Sequence, residues 1–125
     1  MHLNPKTEEH FKPVQAQEIE RILREIKKLS PDIQALIKEG EEVIDNHFEF
    51  MEEEKRKGHY VPEDISGTNV FNLHRSIPGD VLKYLMMLYS AYGFHHVCFE
   101  CEQFSSQDDE IRVRYPNAIM MRFSR

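Results

Sequence analysis

Apolar residues recur every three or four positions in three segments of the chain, which is the spacing of one helix face. The segments predict helices over 14–29, 31–57 and 78–92. The second prediction has the strongest end signals: Ser30 is a good N-cap, Pro31 fits the first helical position, and Gly58 follows a basic last turn. Gly93 ends the third helix in the same way.

Strict alternation of apolar and polar residues replaces this spacing after Gly93. It predicts strands over 95–104, 110–116 and 118–124, joined by turns, as a three-stranded antiparallel β-meander. Pairing the first two strands across a turn at 105–109 brings opposite charges together outside and apolar side chains together inside. The cross-strand pairs are Glu102 with Arg112, Glu100 with Arg114, Cys101 with Val113 and Phe99 with Tyr115.

These elements predict an α+β fold in one domain, 14–125, preceded by an N-terminal arm, 1–13. Only a few residues separate the first two helices, so we expect an N-terminal antiparallel helical hairpin. The third helix has a wide apolar stripe and is expected to pack on the C-terminal meander. The arm is expected to dock through Leu3 and Phe11, its large apolar anchors.

Composition narrows the class of protein. The chain has 125 residues, 22 acidic and 16 basic side chains and a formal charge of −6. We expect no direct nucleic-acid binding, because that affinity comes largely from Lys and Arg. Neither a long apolar run nor a signal-peptide pattern occurs in the sequence, so we expect a cytoplasmic protein without membrane contact.

Residues with catalytic or metal-binding chemistry do not form a motif. Cys98 and Cys101 have the CxxC spacing of a zinc half-site, but a predicted strand sends them to opposite faces. His47 lies on the apolar stripe of the second helix and has no ExxH partner. We therefore predict no metal, no cofactor and no catalytic residue.

Acidic residues are concentrated in the second helix, where no Lys or Arg occurs between Glu39 and Glu54. Such a run is often only a solvated face. The alternative is an acidic ridge that docks on a basic protein. The predicted partner-binding residues are Glu42, Asp45, Glu49, Glu52 and Glu53.

The segment 59–77 has no sustained period and is predicted to be a long ordered loop. It carries side chains typical of ligand sites: His59, Tyr60, Asn72, His74 and Arg75. His74 would serve there as acid or base and Arg75 as anion holder.

The sequence thus favours a small intracellular, non-enzymatic protein-binding module that acts as an inhibitor, an immunity-type protein or an adaptor. Its partner would be a basic protein, for example one that handles nucleic acid. The alternative is a small enzyme or ligand-binding domain that uses the 59–77 loop. A third hypothesis is homodimer formation, either through the wide apolar surface around Met86, Met87 and Leu88 or through the edge of the last predicted strand.

Overall fold

The computed structural model describes residues 11–61, 65–71, 77–101 and 119–124. They contain the helices α1 (Pro13–Lys27), α2 (Pro31–Arg56) and α3 (Gly79–Tyr92). Each helix end lies within two residues of its prediction. None of these helices combines the length and the apolar character needed to cross a bilayer.

Local capping explains why the helix ends follow so closely from the sequence. The Ser30 hydroxyl accepts a hydrogen bond from the Ile33 amide at 3.4 Å, which caps the start of α2. Gly58 and Gly93 have φ angles of 81° and 123°, a region that glycine enters without steric cost. The chain therefore turns away from the helix axis after α2 and after α3.

Helix α3 is the centre of the helical layer. Its residues Val81, Leu85, Leu88 and Tyr89 have no exposed surface. Both α1 and α2 pack along α3 and make few contacts with each other. The predicted antiparallel hairpin of the first two helices is therefore wrong as a packing unit, because the wide apolar stripe of α3 takes the stripes of both neighbours.

The described strands form one antiparallel sheet. They are β1 (Ile65–Phe71), β2 (His95–Cys101) and β3 (Ile119–Ser124), in the order β1-β3-β2. Strand β1 falls within 59–77, so the prediction of a loop throughout that segment is wrong.

The register of β3 also differs from the predicted meander. Phe99 of β2 lies opposite Met121, and Thr68 of β1 lies opposite Met121 on the other side. The predicted meander, in which the 110–116 segment pairs with 118–124, is therefore not shown. That segment and the predicted charge pairs Glu100–Arg114 and Glu102–Arg112 lie outside what the structure describes.

The sheet and Phe11 complete the core around α3. Strand β2 packs against α3, and β1 packs against α2, where Val70 and Phe71 are buried. Phe11 lies against Tyr92 at the end of α3, with 6.1 Å between ring centroids. The other predicted anchor of the arm, Leu3, lies outside the described residues.

Candidate functional site

The outer face of α2 carries a run of acidic side chains. Ile37, Ile44, Phe48 and Met51 turn towards the core and are buried. Residues three or four positions apart on the opposite side are exposed, and they are Glu42, Asn46, Glu49, Phe50 and Glu53. We call these five residues the α2 face. It contains three of the five predicted partner-binding residues.

The α2 face also contains an aromatic side chain, Phe50, that was not predicted from the sequence as a site residue. Phe50 is 64% exposed, although it belongs to a residue type usually found inside. The signal was present in the sequence, because Phe50 is out of phase with the stripe through Phe48 and Met51. The α2 face therefore combines negative charge with one accessible apolar group.

Asp45 is used inside the protein. The buried Tyr89 hydroxyl donates its hydrogen bond to Asp45 Oδ1 at 2.8 Å, and the Glu41 carbonyl lies 3.4 Å away as a weaker second acceptor. Burial, reinforced by the nearby Asp45 carboxylate, raises the pKa of Tyr89 well above its usual range. Asp45 thus satisfies a buried donor and ties α2 to α3. Glu52 is also only half exposed.

Ion pairs follow the α2 face toward the end of the helix. Glu53 pairs with Arg56 one turn later. His59 Nδ1 lies 2.5 Å from Glu54 Oε2, and this contact with the imidazole lowers the pKa of the Glu54 carboxyl. Both pairs are exposed and contribute little to folding. Within α2, cations therefore flank the acidic run, with Lys38 before it and Lys55 and Arg56 after it.

The predicted ligand loop is only partly within the described residues. His59 is held at the end of α2 by Glu54, and Tyr60 next to it is 91% exposed. Asn72, His74 and Arg75 lie outside the described residues. The described part of the segment thus brings no acid, base and anion holder together.

Metal-binding chemistry finds no support among the described residues. They include no group of three or more His, Cys, Asp or Glu arranged to hold an ion. Cys98 and Cys101 both belong to β2. His47 is half buried, its ring lies 5.6 Å from that of Phe48, and burial lowers its pKa. His47 therefore sits at the margin of the core.

A second surface feature lies between α1 and α3. It is an open groove of about 410 Å³, lined by Glu18, Met86, Met87, Ser90 and Ala91. Arg21 holds the Glu18 carboxylate at 2.5 Å and lowers its pKa. Met86 and Met87 are half buried, whereas Leu88 is fully buried and cannot contribute to a dimer surface as hypothesised.

Comparison with protein-family models, with curated proteins and with solved structures found no match for this chain.

Proposed function

We propose that this protein is a non-enzymatic binding module whose α2 face docks on a basic surface of another protein. The observation that carries the proposal is the exposed Phe50 within a face whose charged residues, Glu42, Glu49 and Glu53, are all acidic. No Lys or Arg interrupts α2 between Lys38 and Lys55. A partner that buries this face must therefore supply positive charge.

The two kinds of side chain have different tasks in such a complex. The acidic residues raise the association rate by steering a basic partner, an effect that salt weakens. Phe50 supplies apolar area, and burying it fully is worth about 1.5–3 kcal/mol. Aromatic anchors of this kind commonly carry much of an interface's affinity.

Asp45 and Glu52 have a smaller part in the proposed contact than the sequence suggested. Asp45 is engaged by the Tyr89 hydroxyl, so its replacement disturbs folding as well as charge. The proposed contact therefore relies on Glu42, Glu49, Phe50 and Glu53. An inhibitor, immunity-type or adaptor role would follow if this contact covers a working basic surface of the partner.

The test is affinity capture from cell lysate with two charge-reversal variants. Glu49→Lys changes the α2 face, and Glu20→Lys makes the same change on the exposed side of α1. We expect Glu49→Lys to lose the captured partner and Glu20→Lys to retain it. Equal capture by both variants would contradict the proposal.

Phe50→Ala separates the apolar contribution from the electrostatic one. We expect it to weaken binding to the purified partner about thirtyfold, which corresponds to about 2 kcal/mol. The salt dependence of association should stay unchanged, because the acidic residues remain. An affinity equal to that of the unaltered chain would show that Phe50 is outside the contact.

A further inference from the structure

The end of α1 carries a cluster of exposed cations. Arg24, Lys27 and Lys28 lie three or four positions apart, so they are neighbours on the surface of the helix. Within the part of the chain that the structure describes, none of the three forms an ion pair. Glu25 does not neutralise them, because Arg21 holds its carboxylate at 2.8 Å. This end of α1 is therefore basic, in a chain whose net charge is −6.

An exposed apolar side chain borders these cations. Leu23 is 39% exposed and lies one turn before Lys27. The helix dipole alone accounts for cations in a last turn, because they offset the negative end of the helix. It does not account for Leu23, whose apolar surface is left in water beside them. We call Leu23, Arg24, Lys27 and Lys28 the α1 patch, and it combines positive charge with one accessible apolar group.

The α2 face is the complement of the α1 patch in both respects. It presents the exposed ring of Phe50 among acidic side chains, of which Glu42 and Glu49 have no ion pair with any described residue. The α1 patch covers about 8 Å of its helix and the α2 face about 16 Å, at 1.5 Å per residue, so the patch fits within the face. Both surfaces are exposed in the same chain. Only a second copy can therefore cover one with the other.

We infer that the α1 patch of one copy docks on the α2 face of another copy. Leu23 then lies against Phe50, and the cations of the patch lie near Glu42 and Glu49. The net charge of −6 opposes this contact, since two copies repel each other at long range, and exposed ion pairs are individually worth little. The contact is therefore weak and forms at high protein concentration. A second copy on the α2 face would also compete with another protein there, a consequence that rests on the proposed function.

Analytical ultracentrifugation of the full chain tests this inference at concentrations up to about 1 mM, where weak contacts are populated. The double variant Lys27→Glu, Lys28→Glu reverses the charge of the α1 patch. The control variant Lys12→Glu, Lys83→Glu makes the same change in net charge at two exposed lysines outside both surfaces. We expect the unaltered chain and the control to show an average mass that rises with concentration, and the patch variant to stay monomeric. Circular dichroism checks that both variants keep their helices.

A mixing experiment identifies the two surfaces as partners. The double variant Glu42→Lys, Glu49→Lys reverses the charge of the α2 face, and we expect it to be monomeric by itself. Mixed with the Lys27→Glu, Lys28→Glu variant it should associate, because one chain supplies an unaltered α1 patch and the other an unaltered α2 face. Both variants keep a negative net charge, so their overall charges do not draw them together.

Three results would overturn the inference. The first is an unaltered chain that remains monomeric at about 1 mM. The second is a patch variant that associates as strongly as the control. The third is association that Met86→Ser abolishes and the patch variant retains, which would identify the groove between α1 and α3 as the contact. None of these measurements involves another protein, so failure here is distinct from failure of the proposed function.

Discussion

Helix α2 approaches α3 closely at Gly40, and this contact predicts the sign of the stability change caused by Gly40→Ala. A Cβ atom at Gly40 would lie 2.6 Å from Leu85 Cδ1 and 3.1 Å from Phe71 Cζ. Neither neighbour can move into solvent, because both are buried. Gly40→Ala gains about 1 kcal/mol of helix propensity but adds an overpacking cost of about 1–3 kcal/mol. We expect a net destabilisation of up to about 2 kcal/mol.

Leu85→Val provides the matched background, since it removes both Cδ atoms of Leu85. By itself it costs about 1 kcal/mol, mostly the loss of one buried methylene. In that background Gly40→Ala should cost less than in the unaltered chain, because the 2.6 Å contact is gone while the 3.1 Å contact with Phe71 Cζ remains. The assay is urea unfolding of the four proteins in the double-mutant cycle. Effects that add to within about 0.5 kcal/mol would refute the proposed contact between Gly40 and Leu85.

The remaining predictions concern three side chains, Tyr89, His47 and Ser30. Tyr89→Phe should cost about 1.5–3 kcal/mol in urea unfolding, because it removes the hydrogen bond to Asp45. The raised pKa of Tyr89 also predicts stability that is lost as pH rises above about 10, and Tyr89→Phe should reduce that loss in unfolding midpoints measured across alkaline pH. The lowered pKa of His47 predicts stability that falls as pH drops below about 6.5, and His47→Gln should flatten unfolding midpoints there. Ser30→Ala should lower stability to thermal unfolding by about 1 kcal/mol, because the Ile33 amide loses its cap.

Helices were predictable because their signals are local. The Ser30-Pro31-Asp32 cap and the glycines at 58 and 93 each specify a helix end within a few residues of sequence. The helices of the structure begin and end at these signals. Their packing was less predictable. The apolar stripes of α1 and α2 show which side of each helix is buried, but they do not show what covers it. The wide apolar stripe of α3 is the feature that points to α3 as the common partner of both helices.

The sheet was less accessible to sequence reasoning because strand pairing depends on distant partners. Strand β1 contains Gly67 and Asn69, residues that are depleted in strands and suggest a loop. It becomes a strand by pairing with β3, more than forty residues away in sequence. A local pattern carries no information about that partner.

The acidic charge of the candidate site could be predicted from the sequence, whereas the internal contact of Asp45 and the exposed Phe50 were not predicted. The acidic run marks α2, and helical phase alone assigns Glu42, Glu49 and Glu53 to its outer side. The contact between Asp45 and Tyr89 joins residues on different helices, so sequence spacing could not show that Asp45 has an internal partner. Phe50 could have been found by asking which apolar residue falls outside the stripe.

Photo-crosslinking from the α2 face shows directly whether this face docks on a basic protein. A photoreactive phenylalanine analogue replaces Phe50 in one protein and Val14 in the other, since both side chains are exposed but lie on different helices. Cells that produce each protein are irradiated, and the crosslinked species are identified by mass spectrometry. We expect a discrete crosslink to a basic protein from position 50 and none to that protein from position 14. The same species from both positions, or none from position 50, would contradict it.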